Sequence, residues 1–273
     1  MVPPRMAGEL LRDHPADGVV RLTISNPDKR GALDHPLLNA IAGAVTELSA
    51  PEAGVRALIL TGAGGRFSSG YDLSGLEGLP REEFVARAET LIAHPFTAAI
   101  EALEATDVPT IAALPGPTMG GGLELALACD LRVAADHVEL AMPPAKLGLV
   151  YPHTGLRRFL DVIGAARTRE LFLLGQPIDP VTALAWGLVN GVSEAEDLQD
   201  EVLQLAVDLA GNAPLSVRGN KQVIRRLLAA EGRVDDALEA ELVALREASF
   251  RSDDLLEGVT AFVEKRAPVW RGR

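Results

Sequence analysis

The sequence predicts an α/β fold followed by an almost wholly helical C-terminal part. Three observations carry this. GVVRLTIS at 18–25 alternates apolar and polar residues, as a strand with one buried face does. VRALILTG at 55–62 and VPTIAALPG at 108–116 are near-continuous apolar runs, the pattern of a sheet covered on both faces. From about residue 154 onward the apolar positions recur at helical spacing instead.

The elements follow in order. After the first strand, Leu37, Leu38, Ile41, Val45 and Leu48 lie on one face of a helix over 36–49. Pro36 suits its first turn, where a missing N–H costs nothing. The run at 55–62 is a strand, and the glycine- and serine-rich GAGGRFSSGYDL at 62–73 is a loop. A long helix over 81–106 leads to the strand at 108–116. Gly120, Gly121 and Gly122 open a buried helix, and LRVAA at 131–135 and VELAMP at 138–143 are further strands. Strand, helix and strand in this order argue for right-handed crossovers. Helices follow over 155–163, 165–174, 179–187, 195–211, 214–230, 234–249 and 253–265, interrupted by a short strand, GLVNGV, at 187–192. The expected division is a β-rich core over 1–195 and a helical region over 196–273, with no linker or repeat between them.

The chain has 273 residues, 48% of them hydrophobic, enough to bury a sizeable core. Its formal net charge of -12 and the lack of a basic stripe argue against nucleic acid as a partner. Lys221, Arg225 and Arg226 read as a solvated helix face. The single cysteine, Cys129, rules out an internal disulfide and fits a reducing cytoplasm, the expected location. Within LELALACD it reads as a small core residue. MVPPRMAGELLRDHPADG lacks the apolar run of a signal peptide, and no stretch reaches membrane-spanning length without proline, glycine or charge. The five histidines show no metal-ligand spacing, so no metal is expected. The loop at 62–70 lacks the third glycine of a dinucleotide site and the Gly-Lys-Ser/Thr of a phosphate loop.

PGPTMGGGLELALACD at 115–130 carries more information. A helix apolar nearly all round is buried, and its first-turn N–H groups have no acceptor in the helix. Glycines there admit a ligand to the backbone, and the helix dipole makes that end positive. The combination can bind an oxyanion with backbone alone. Glu124 stands in the same first turn, and two readings are open. It complements the dipole, or it is an acid–base group whose pKa burial raises.

RFSSGYDL (66–73) and PGPTMGGGLELALACDLRVAA (115–135) resemble the two signature segments of the crotonase (enoyl-CoA hydratase/isomerase) superfamily. AMPPAKLGLVY (141–151) and RELFLLGQPIDPVTALAWGLVNGV (169–192) do so too, and the similarity runs from about residue 18 to FVEKRAPVW near the end. The resemblance implies a spiral of ββα turns, a C-terminal helical oligomerisation region, and a homotrimer or dimer of trimers. It implies an acyl-CoA substrate, coenzyme A being part of that substrate and no separate cofactor being needed. It also implies an oxyanion hole for the thioester carbonyl, made by the backbone N–H groups of Tyr71 and Gly121. CoA would be held around Arg30, Ala32, Ser69, Asp72 and Leu73, with Phe262 and Lys265 near the adenine and phosphates, across a subunit interface.

Hydratases of this superfamily hold water between two glutamates. The first matches Glu124. The second belongs to a proline–glutamate step that here reads Pro143-Pro144, so Pro144 stands where the second acid would be. Three residues are candidates to act beside Glu124. Tyr151 falls where members resembling methylmalonyl-CoA decarboxylase carry a tyrosine, and could orient a substrate carboxylate; otherwise it is a core-edge tyrosine. His153, read as a loop residue, lies near the acidic residue of some isomerases. The Tyr71 side chain stands where such decarboxylases carry histidine, and lines the acyl pocket or fills space. The expected function is a CoA-thioester lyase that decarboxylates a malonyl-type thioester such as methylmalonyl-CoA. The alternative is an enoyl-CoA hydratase or isomerase using Glu124 alone or with His153. A non-catalytic scaffold is the third possibility, and Glu124 together with both oxyanion loops argues against it.

Overall fold

A six-stranded sheet forms the centre of the computed structural model, which describes residues 8–269 apart from 75, 77 and 232–235. Two strands open it, β1 (Glu9–Ala16) and β2 (Val19–Ser25). Helix α1 (His35–Ser49) then leads into β3 (Ala57–Gly62). The Asp34 side chain caps α1 by accepting from Leu37 N at 2.9 Å. Helix α2 (Arg81–Ala105), β4 (Thr110–Leu114), β5 (Thr118–Met119) and α3 (Gly121–Leu127) come next. They are followed by β6 (Leu131–Ala135), β7 (Leu140–Ala141), α4 (His153–Leu174), α5 (Pro180–Trp186) and β8 (Gly191–Ser193). Among the described residues four helices follow, α6 (Leu198–Gly211), α7 (Pro214–Glu231), α8 (Asp236–Phe250) and α9 (Asp253–Glu264).

The strand order is β1-β2-β3-β4-β6-β8, with β5 and β7 paired as a separate parallel ribbon. Only β1 and β2 are antiparallel; the other neighbours in the large sheet are parallel. Every residue of β3 and β4 is buried, as continuous apolar runs demand of strands covered on both faces. Each fully buried Leu or Ile there contributes roughly 1.5–3 kcal/mol relative to exposure.

The elements fall close to their expected places, and the main departures are at β1 and α6. β1 has no alternating pattern; five of its eight residues are exposed and it contains Pro15. Pairing with β2 creates it, because a strand's stability depends more on its neighbours than on its own composition. The helices expected at 155–163 and 165–174 are present as expected and meet at Gly164, whose φ of 73° most side chains would resist. Finally, α6 belongs to the core rather than to a separate helical layer. Its Leu198, Val202, Ala206 and Ala210 are buried in the same cluster as β3, β4 and β6, so the core continues past residue 195. Leu76, Phe84, Phe250, Leu255 and Val259 form a second, smaller cluster under α8 and α9.

Cys129 lies 3% exposed in the main cluster, and burial pushes its thiol up to about 12, so it stays protonated. No helix among the described residues is long and apolar enough to cross a membrane.

Candidate active site

The two glycine-rich loops meet at the N-terminus of α3. Ser68 is fully buried between them. Its hydroxyl donates to Gly31 O at 2.7 Å and accepts from Gly70 N at 3.1 Å, while its carbonyl accepts from Met119 N at 2.9 Å. The three successive glycines have three different reasons to lack side chains. Gly120 has φ 53°, the left-handed region. A Cβ on Gly121 would come within 2.9 Å of the Tyr71 ring, and one on Gly122 within 2.6 Å of Ser68 Cβ. The bare backbone therefore serves loop-to-loop packing as well as access.

Gly121 is the first residue of α3, so its N–H has no acceptor in its own helix. The other loop comes close to it: a Cβ built on Gly70 would lie 3.3 Å from Gly121 N. This brings the Gly70–Tyr71 peptide beside the Gly121 amide. The Tyr71 ring packs on Phe96 of α2 with centroids 4.6 Å apart.

Glu124 is 3% exposed, one helical turn beyond Gly121. Both its oxygens are engaged. Oε2 accepts a short hydrogen bond from the Tyr151 hydroxyl, and Oε1 accepts from Arg158 Nη1 at 3.0 Å. Arg158 in turn forks onto Glu104 of α2, through Nε to Oε1 and through Nη2 to Oε2 at 2.9 Å. One guanidinium thus stands between two carboxylates.

Burial is the largest influence on Glu124 and raises its pKa above the ordinary carboxylate range. The Tyr151 hydrogen bond and the Arg158 charge pull it down without reversing the rise, and the negative charge of Glu104 adds to it. Burial also holds the Tyr151 phenol well above its usual range, with Glu124 and Tyr71 reinforcing the effect. At neutral pH Tyr151 is a proton donor. Its ring is set edge-on to Phe172, 5.4 Å away.

The remaining candidates are arranged around this centre. His153 begins α4 rather than lying in a loop, and its Nε2 lies 3.9 Å from Oε1 of Glu239 on α8. Pro144 is buried at the start of a short turn over Pro144–Leu147. Arg30 is exposed with φ 57°, and the Ala32 carbonyl accepts from Asn26 Nδ2 at 2.8 Å. Ser69 Oγ donates to Lys29 O at 3.2 Å. Asp72 pairs with Lys29 at 2.5 Å; burial pulls its pKa up, but Lys29 and Ser74 outweigh this and hold it below the usual range. Leu73 packs on the smaller apolar cluster. Phe262 is 66% exposed, and Lys265 is exposed at the end of α9 with φ 54°. Within one chain, then, Tyr71, Gly121, Glu124 and Tyr151 come together, while Phe262 and Lys265 face outward on the last helix.

Two residues of the site escaped the sequence. Arg158, in GLRRFL, reads as one more charge on a helix. Gly155 supplies space: a Cβ there would come within 2.6 Å of the Tyr151 ring and 2.8 Å of Glu124 Oε1. An unusual Gly in the first turn of α4 was the only available signal. A cleft of about 490 Å³ lined by Arg12, Asp13, Arg21, Thr61 and Gln199 contains none of these groups. Among the described residues no cluster of His, Cys, Asp or Glu could hold a metal ion.

The enoyl-CoA hydratase/isomerase family model matches residues 15–273. The chain is 33% identical over 256 residues to a probable enoyl-CoA hydratase of Mycobacterium bovis, covering 92% of this chain and 94% of that protein. It is 35% identical over 254 residues to the carnitinyl-CoA dehydratase of Escherichia coli K12, covering 88% and 94%. A solved structure of methylmalonyl-CoA decarboxylase, in complex with 2-nitronate-propionyl-CoA, superposes with a TM-score of 0.85 at 28% identity, covering 98% of this chain and 99% of that one.

Proposed function

The chain belongs to the enoyl-CoA hydratase/isomerase family, and from that membership we propose that it is an acyl-CoA lyase that decarboxylates a malonyl-type thioester such as methylmalonyl-CoA. The observation that carries this reading is the state of Glu124. Both its oxygens are already engaged by Tyr151 and Arg158, and position 144 offers proline instead of a second carboxylate. Adding water to an enoyl thioester calls for a base and an acid to hold that water. Decarboxylation holds no water and needs only one proton donor, for the α-carbon.

In this mechanism the thioester carbonyl accepts hydrogen bonds from the Gly121 and Tyr71 N–H groups. The bond from the α-carbon to the carboxylate breaks, its electron pair enters the enolate, and CO₂ leaves. The amides stabilise the charge where it develops. A proton must then reach the α-carbon. A phenol has one proton, and Tyr151 points it at Glu124 in a hydrogen bond. With Glu124 protonated, the phenol hydrogen-bonds the substrate carboxylate; once CO₂ has left, the phenol proton passes to the α-carbon, the phenol oxygen takes the Glu124 proton, and solvent reprotonates Glu124. A neutral Glu124 also removes its repulsion of an anionic substrate, and burial favours that neutral form.

Arg30, Ala32, Ser69, Asp72 and Leu73 form the CoA rim in this reading. The chain works as a homotrimer or dimer of trimers, in which Phe262 and Lys265 reach CoA across an interface. The outward exposure of Phe262, and of Leu215, Val223, Ile224 and Leu227 on α7, supports such an assembly.

The test is mass spectrometry of a mixed acyl-CoA panel after incubation with the protein. Methylmalonyl-CoA should become propionyl-CoA with release of CO₂. In Tyr151→Phe, kcat should fall by roughly 10²-fold, within the span of general acid–base catalysis, with KM little changed. Rapid hydration of crotonyl-CoA with malonyl thioesters intact would overturn the assignment. That second reading, a hydratase or dehydratase using Glu124, is favoured by the names of the relatives at 33% and 35% identity.

A further inference from the structure

Two side chains contact Glu124 directly, and two more act through them. Tyr151 comes from the segment before α4 and Arg158 from α4; Glu104 of α2 acts through Arg158, and Tyr71 through Tyr151. The dipole of α3 itself adds a positive end. Two further charged or titratable side chains, on β6 and α4, have other partners. Arg132 of β6 is spent on the carbonyls of Cys129 and Leu188, and His153 faces Glu239.

Arg158 is not a simple counter-ion in this arrangement. Its Nε and Nη2 make a two-pronged contact with Glu104, leaving Nη1 to bridge to Glu124 and to the Thr154 carbonyl at 3.1 Å. Glu104 is about two-fifths exposed along its side chain, whereas Glu124 is almost fully enclosed. The network therefore runs from solvent inward, with the outer carboxylate claiming the better geometry. A planar guanidinium held at two points cannot turn to satisfy the third partner fully.

We propose that Glu104 and Arg158 are a positioning pair that fixes the orientation of Glu124 and sets how readily it gives up its proton. Arg158 pins Oε1 so that Oε2 faces Tyr151. Glu104 withholds part of the Arg158 charge, keeping the inner carboxyl easier to protonate than an unshared arginine would allow. This deepens the decarboxylase reading, which rests on a neutral Glu124, but concerns a property measurable without turnover. Neither residue need touch substrate.

The experiment is an isotope-edited infrared titration of the protein with carbon-13 in its glutamate carboxyl groups. Glu124 is identified by the band missing in Glu124→Gln. Glu104→Gln removes the outer negative charge and leaves Arg158 to Glu124, so the protonation midpoint of Glu124 should fall. Arg158→Met should raise it, each by about one pH unit or more, the scale of a charge at this distance. Should Arg158→Met fold poorly, the partly exposed Glu104→Gln carries the test alone. A midpoint that stays put, or rises, in Glu104→Gln overturns the proposal. The infrared shift without any CO₂ release from methylmalonyl-CoA would keep this pair and remove the decarboxylase reading. CO₂ release without the shift would do the reverse.

Discussion

Gly121→Pro should lower kcat on the acyl-CoA substrate by roughly 10²–10³-fold, the cost of removing one preorganised oxyanion donor. The substitution is informative because of where Gly121 sits. As the first residue of α3 it occupies the one helical position where proline is well tolerated, since the N–H it lacks has no partner in the helix. In the proposed mechanism that donor is used by the thioester carbonyl. The proline ring also brings a Cβ toward the Tyr71 ring, which lies 2.9 Å from that point. Gly121→Ala brings the same Cβ but retains the N–H, so it isolates the donor. The expected order of kcat is wild type, then Gly121→Ala, then Gly121→Pro, with thermal unfolding confirming that both variants fold. Equal kcat for the two variants would mean that packing, not hydrogen bonding, explains the loss.

Gly155→Ala should reduce kcat by about 10²-fold, because misplacement of reacting groups by about 1 Å has that effect. The added methyl would sit 2.6 Å from the Tyr151 ring and 2.8 Å from Glu124 Oε1, distances at which one of them must move. Neither can move freely. Tyr151 is packed against Phe172, and Glu124 is tied to Arg158. The methyl thus forces apart the two groups whose hydrogen bond defines the site. Infrared spectroscopy should show a weaker Tyr151–Glu124 hydrogen bond, and CoA affinity should change little because the methyl meets Tyr151 and Glu124 first. Wild-type turnover in Gly155→Ala would show that the contact is slack.

Much of the fold was legible because burial on both faces leaves an unmistakable pattern. The runs that became β3 and β4 could be little else in an α/β chain. β1 was illegible for the opposite reason: Arg12, Asp13 and Pro15 carry no pattern, and only pairing with β2 makes a strand of them. At the site, Glu124 stood out as a carboxylate on an apolar helix, and Tyr151 as a tyrosine at a position known from the family resemblance. Arg158 did not stand out. Its partners Glu104 and Glu124 come from two other helices, and no local rule distinguishes an arginine bound for the interior from a solvated one. Gly155 was hidden more deeply still, since its role is a volume that only the folded neighbours define. In sequence His153 reads as a loop residue, yet Pro152 before it is a helix cap, after which a helix can start at once.

The two ends of the large sheet also bear on behaviour in concentrated solution. An unprotected strand edge is a template on which other chains can polymerise. Here one end is β1, with an irregularity in register between Asp13 and Ala16, charged residues along it and Pro15. The other end is β8, only three residues long. Neither offers a long, flat, apolar row of unpaired amides, so the sheet resists sideways growth into fibrils. The strand least visible in the sequence is the one that seals the long apolar alternation of β2 against its neighbours in a crowded solution.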